Sequence, residues 1–91
     1  MAEISFVLQI QNKKGLHARA ASAFVREADK FQSDIFVEKD GQKVSGRSIM
    51  GLMMLAAGQG SSIAVFASGD DAEDAQKALS CLVNNRFGEE E

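Results

Sequence analysis

The chain has no proline, no tryptophan and no tyrosine, and only one cysteine and one histidine in 91 residues. Each scarcity excludes a class of function. Cys81 has no partner for an internal disulfide, and its setting among Ala78, Leu79, Leu82 and Val83 on a helical pattern reads as a small core or edge residue in a reducing compartment. No second histidine or cysteine stands at metal-ligand spacing, so neither a metal nor another cofactor is expected. Thirteen acids against ten bases give a net charge of −3. A nucleic-acid partner is therefore not expected, since its phosphates call for a basic surface and its bases for stacking aromatics. The longest uninterrupted apolar run, residues 52–57, is far shorter than the ~20 residues that cross a bilayer. The start, Met-Ala-Glu-Ile-Ser, has no basic stretch leading into an apolar one. A cytoplasmic protein without membrane contact is expected. With no repeat, linker or low-complexity segment, the chain reads as one domain over residues 1–88, followed by a frayed acidic tail at 89–91.

What is present is periodic. Ile4, Phe6, Leu8 and Ile10 alternate with Glu3, Ser5, Val7 and Gln9, the pattern of a half-buried strand. Ala21, Phe24, Val25, Ala28 and Phe31 recur at three and four, which predicts a helix over residues 18–30. Asp40-Gly41 between two β-prone runs predicts a tight hairpin, because both central positions tolerate positive φ. Ser48 opens a short apolar stretch over residues 49–57, ended by Gly58-Gln59-Gly60, that reads as a two-turn second helix. Ile63, Val65 and Ala67 alternate in a fourth strand. Ala75, Ala78, Leu79, Leu82, Val83 and Phe87 form the stripe of a last helix, with Asp70, Asp71, Glu73 and Asp74 in its first turn and Arg86 in its last. The order βαββαβα, with one apolar face per element, fits an α+β two-layer sandwich. By order alone a ferredoxin-like arrangement fits equally well.

His17 lies where a loop ending in Gly15 becomes the first helix, in the string Asn-Lys-Lys-Gly-Leu-His-Ala-Arg-Ala-Ala-Ser-Ala-Phe-Val at residues 12–25. A helix start exposes unpaired N–H groups and the positive end of the macrodipole, which suits a phosphate. Arg19 adds a charged fork, and the same field favours a neutral His17 with a lone pair free for attack. Lys13, Lys14 and Arg19 gather positive charge round His17, while acids collect at residues 70–74 and 89–91, so an acidic partner is expected at the histidine end. A lone His-x-Arg triplet would ordinarily be a surface feature. The longer string and the later Ser48-Ile49-Met50-Gly51-Leu52 make it more specific.

Together these segments resemble the HPr family, the histidine phosphocarriers of the phosphoenolpyruvate-dependent phosphotransferase system, and among them the nitrogen-type variant. The resemblance runs from about residue 4 to residue 87. It implies the open-faced sandwich, with a four-stranded antiparallel sheet and three helices on one face. It implies that His17, through Nδ1, takes a phosphoryl group from enzyme I and passes it to an enzyme IIA domain, with Arg19 as charge partner and Ala18 and Arg19 as the phosphate cradle. Ala20 departs from the proline common in the family, which reads as subfamily character.

Ser48 reads locally as a helix N-cap. In the family this is also the site of regulatory phosphorylation, where an HPr kinase/phosphorylase is present. The short second helix holds more apolar residues than it can bury. Leu52 and Leu55 are expected to face inward, and Ile49, Met50, Met53 and Met54 outward, where with Arg47 they form a docking surface for successive partners. The protein is expected to be a monomeric relay and not a turnover enzyme. The alternative is a regulatory module of the same fold that acts through Ser48 and the second helix. A ferredoxin-like ligand or nucleic-acid domain is the weakest reading.

Overall fold

A computed structural model describes residues 3–89. Strand β1 (Glu3–Gln9) is followed by helix α1 (Ala18–Ala28), strands β2 (Asp34–Lys39) and β3 (Gln42–Ser45), helix α2 (Ile49–Met54), strand β4 (Ser62–Ser68) and helix α3 (Ala72–Asn84). The strands form one antiparallel sheet in the order β1-β4-β2-β3. This is the open-faced α+β sandwich, and it sets the ferredoxin-like alternative aside.

Alternation of apolar residues determines which face is covered. Pairing sets Phe6 beside Val65, Val65 beside Val37 and Val37 beside Val44, so one row of apolar side chains crosses all four strands beneath the helices. Phe24 from α1, Leu52 from α2 and Leu79 from α3 are fully buried against that face. The other face is open, and there Lys43 lies over the Phe66 ring at 4.3 Å and the Phe36 ring at 5.5 Å. The hairpin forms as expected, with Asp40 and Gly41 both at positive φ.

Three expectations are corrected at element ends. Helix α1 stops at Ala28 and does not run to residue 30. There Ala28 O accepts from Phe31 N at 3.1 Å, and Arg47 ties the helix end to the loop beyond it: Nη2 donates to Ala28 O at 3.0 Å and Phe31 O at 2.6 Å, Nη1 to Ser33 O at 3.1 Å, and Nε to the Asp29 carboxylate at 3.1 Å. Helix α3 ends at Asn84, so Arg86 is not in its last turn and Phe87 does not continue its stripe. Arg86, Phe87 and Gly88 instead turn the chain back with φ of 56°, 55° and 82°. Phe87 reaches the core from that turn. Cys81 is exposed on α3, which fits the edge position and not the core one.

Asp70 and Asp71 precede α3, and only Glu73 and Asp74 occupy its first turn. Asp71 does not cap the helix with its side chain. Its carboxylate accepts from Gln32 N at 2.8 Å, Ser33 N at 3.0 Å and Ser33 Oγ at 2.5 Å, tying the α1–β2 loop to the start of α3. The Ser33 hydroxyl foremost, then the Gln32 amide, hold this carboxyl below the usual carboxylate range. With a depressed folded pKa, the stabilisation is complete above the unfolded value of about 3.9 and is lost as pH falls through the folded one. Asp71→Asn should therefore lower the urea midpoint at neutral pH, and the gap from wild type should close as pH drops below about 4. A gap that stays constant with pH would show that the charge of Asp71 is not what acts.

Candidate functional site

The loop between β1 and α1 is held from below by the loop that follows α2. Ile10 N donates to Ser61 O at 2.8 Å, Gly60 N to Ile10 O at 2.8 Å, and Leu16 N to Ala57 O at 2.9 Å. Gly15 makes this approach possible. Its φ is +67°, and a Cβ there would run into the Ala57 carbonyl oxygen and lie 2.8 Å from Gly58 Cα. Inside the loop, Gly15 N donates to Asn12 O at 3.1 Å, and the buried Asn12 side chain returns Nδ2 to Gly15 O at 2.7 Å. Asn12 Oδ1 has no hydrogen-bond partner among the described residues. The backbone is thus locked on both sides of Leu16, which is itself buried.

His17 emerges from this lock as the N-cap of α1, in extended conformation, with its carbonyl accepting from Ala21 N at 2.8 Å. Its ring makes no cap hydrogen bond and is left for other work. Ala18 and Arg19 follow on the exposed side of the first turn, whose N–H groups precede any intrahelical partner. Beside the ring lies an open depression of about 200 Å³ lined by Lys14, Leu16, His17, Ala56, Ala57 and Gly58. The structure thus brings His17, Ala18 and Arg19 together at one helix start.

The charge layout round His17 differs from the expected one. Glu89, assigned to a frayed tail, is placed on the histidine: Oε2 is 2.6 Å from His17 Nε2, and Oε1 accepts from Asn12 Nδ2 at 3.1 Å. The side chains of His17 and Glu89 keep 27% and 14% of their exposure, so the contact is half-buried. Glu90 and Glu91 lie outside the described residues. Burial pushes the Glu89 carboxyl upward, but the hydrogen bonds from His17 and Asn12 and the charges of His17 and Arg19 outweigh it, and the net shift is downward. A carboxylate only accepts, so Nε2 is the nitrogen that donates in this pair.

Ser48 caps α2, accepting from Gly51 N at 3.0 Å. From this helix, Ile49, Met50, Met53 and Met54 are exposed by 40%, 69%, 39% and 64%, while Leu52 and the following Leu55 are buried. Arg47 does not join that outward face. Its guanidinium is taken up by the carbonyls after α1 and by Asp29, which accounts for its place better than docking does. Sequence reasoning missed Asn12 and Glu89. Asn12 stood in the quoted string without a role, and Glu89 was hidden in an acidic run that carries no local signal.

Among the described residues no group of histidine, cysteine or carboxylate side chains could hold a metal, and no helix is long and apolar enough to cross a membrane. Replacing Gly15 with alanine should lower stability by about 1–2 kcal/mol for the left-handed backbone alone, and by more once the Ala57 contact is displaced. Urea unfolding measures the loss, and amide exchange at Leu16 should rise with it. A Gly15→Ala variant as stable as wild type would contradict the lock.

The family model PTS-HPr, described as "PTS HPr component phosphorylation site", matches residues 4–85. The phosphocarrier protein HPr of Neisseria meningitidis serogroup A is 48% identical over 84 residues, covering 92% of this chain and 94% of that protein. The HPr-like protein Crh of Halalkalibacterium halodurans is 49% identical over 76 residues, covering 84% and 90%. In structure, the chain is similar to HPr of Thermoanaerobacter tengcongensis. That protein was solved as HPr-C-His, with a TM-score of 0.88, 50% identity and full coverage of both chains. It was also solved as a dimer, with a TM-score of 0.76, 50% identity and coverage of 98% and 100%.

Proposed function

The chain belongs to the HPr family of phosphocarrier proteins, and from that premise we propose that His17 is the residue that carries the phosphoryl group, accepting it on Nδ1 from enzyme I and yielding it to an enzyme IIA domain. The observation that carries this reading is the His17 ring itself, which makes no helix-cap bond and whose Nε2 meets a carboxylate. With the proton on Nε2, the neutral ring carries its lone pair on Nδ1, at the start of α1. A relay needs a group that takes a phosphoryl unit and releases it again with little loss of transfer potential. An imidazole phosphoramidate does so, whereas a serine ester is far more stable and suits a switch. Such a protein is a carrier and not a turnover enzyme.

The first turn of α1 supplies the cradle. Its free N–H groups and the Arg19 guanidinium offset the phosphoryl charge without enclosing it, and a tighter grip would stall release. The exposed Ile49, Met50, Met53 and Met54 offer adaptable apolar surface to unlike partners, here proposed to be enzyme I and the IIA domain in turn. Phosphate on Ser48 would sit at the start of α2, where its charge opposes an acidic partner, so regulation by an HPr kinase/phosphorylase belongs to the same proposal. We place the protein in the cytoplasm, as a monomer of the nitrogen-type group.

A second reading has support in the similarity to Crh and in the exposed face of α2: a regulatory module working through Ser48. The pairing of His17 and Arg19 favours the carrier, because a regulator of that kind uses neither. Incubation with phosphoenolpyruvate and enzyme I should give wild type and Ser48→Ala an acid-labile, alkali-stable adduct, and His17→Ala none. No adduct on folded wild type, or an acid-stable one lost in Ser48→Ala, would transfer the assignment to the regulatory module.

A further inference from the structure

We infer that Lys14 is a second cation of the phosphoryl-transfer site, meeting the oxygens of the phosphoryl group in the open depression beside His17. The inference rests on the carrier reading and adds a residue to it.

Lys14 stands three residues before His17, and Gly15 between them brings both to one space. The backbone turns there at a φ of +67°, and the Gly15 N to Asn12 O bond at 3.1 Å closes the turn. Lys14 and His17 then line the same depression of about 200 Å³, whose remaining wall is Leu16 and the segment 56–58. Among the described residues no carboxylate lines it. Glu89 holds Nε2 from outside this space, and Arg19 lies outside it as well. An anion that enters the depression therefore meets the Lys14 side chain and the ring, and no opposing charge.

The Lys14 ammonium is also uncommitted. Lys30 pairs with Glu27, Lys39 with Asp40, and the Arg47 guanidinium is bonded to carbonyls and to Asp29. Lys14 is exposed and forms no such bond among the described residues. An exposed lysine is ordinarily a solvated surface charge. What distinguishes this one is that the reactive ring shares its depression.

The chemistry has a use for such a charge. In transfer, the ring lone pair forms the new N–P bond as the donor's bond to phosphorus breaks, and that electron pair stays with the donor. Midway the charge of the phosphoryl group is spread over its oxygens, so a cation beside them lowers the barrier. Arg19 offers a planar fork that favours one geometry. Lysine offers a compact charge on a flexible stem, able to follow phosphorus from donor to ring and later from ring to acceptor. Because the depression is open, water weakens the contact, and the grip stays loose enough for release.

The full chain, as wild type, Lys14→Met and Lys14→Arg, tests this. In protein carrying carbon-13 labelled lysine, the carbon beside the Lys14 amine reports its titration, and Lys14→Met identifies the signal. A phosphoryl dianion within reach favours the charged amine, so phosphorylation of His17 should raise the midpoint by roughly half a pH unit. Single-turnover transfer from phosphorylated enzyme I reports the rate. Phosphoramidate, which loses its phosphoryl group with ammonia as leaving group, serves as a donor without a protein surface. Lys14→Met should slow transfer from both donors several-fold at saturation, and Lys14→Arg should restore most of the rate. A Lys14 midpoint that ignores phosphorylation would overturn the inference alone. So would a Lys14→Met that only raises the half-saturating concentration of enzyme I, since Lys14 would then read the partner and not the phosphoryl group. A wild type that accepts no phosphoryl group from either donor would overturn the carrier reading and this inference with it.

Discussion

At Gly15 the backbone of the histidine loop lies directly against that of Ala57 and Gly58, at a separation that admits no side chain. Most of what surrounds His17 depends on this approach. It permits the Leu16 N to Ala57 O bond, it seats Leu16 in the core, and it sets the point at which the chain enters α1. A reactive side chain on a flexible loop would lose much of its orientation on each encounter. Here the loop is bonded to the 57–61 segment on one side and braced by Asn12 on the other, so the ring is presented from a rigid base.

Charged side chains complete the fold in a consistent way. Arg47 ties carbonyls at the end of α1 and in the loop beyond it, Asp71 satisfies amides of the loop before β2, and Glu89 bonds to Asn12 as well as to His17. Each joins segments distant in sequence at places where periodic structure ends. The result leaves Arg19 and the outward side chains of α2 exposed. Arg19 is free of such structural bonding among the described residues, which leaves it available to an incoming anion.

Periodic features were legible before any coordinates. Alternation in residues 3–10 and 62–67 foretold β1, β4 and their buried face, Asp40-Gly41 foretold the hairpin, and the apolar surplus after Ser48 foretold the exposed Ile49, Met50, Met53 and Met54. The junction at His17 was legible because loop, glycine and helix start are contiguous. The contacts of Arg47, Asp71 and Glu89 were not, since each pairs a polar side chain with a partner 14 to 77 residues away and leaves no period in the sequence. The end of α3 was missed for a related reason. Phe87 falls at helical spacing from Val83, yet it reaches the core from a left-handed turn, and nothing local separates the two routes.

The central proposal is that His17 carries the phosphoryl group on Nδ1 while Nε2 keeps its proton. Nitrogen-15 labelled protein, phosphorylated through enzyme I and read by phosphorus–nitrogen coupling within the ring, addresses it most directly. The account predicts phosphorus on Nδ1 and a proton on Nε2. Phosphorus on Nε2, or on a residue other than His17, would contradict it.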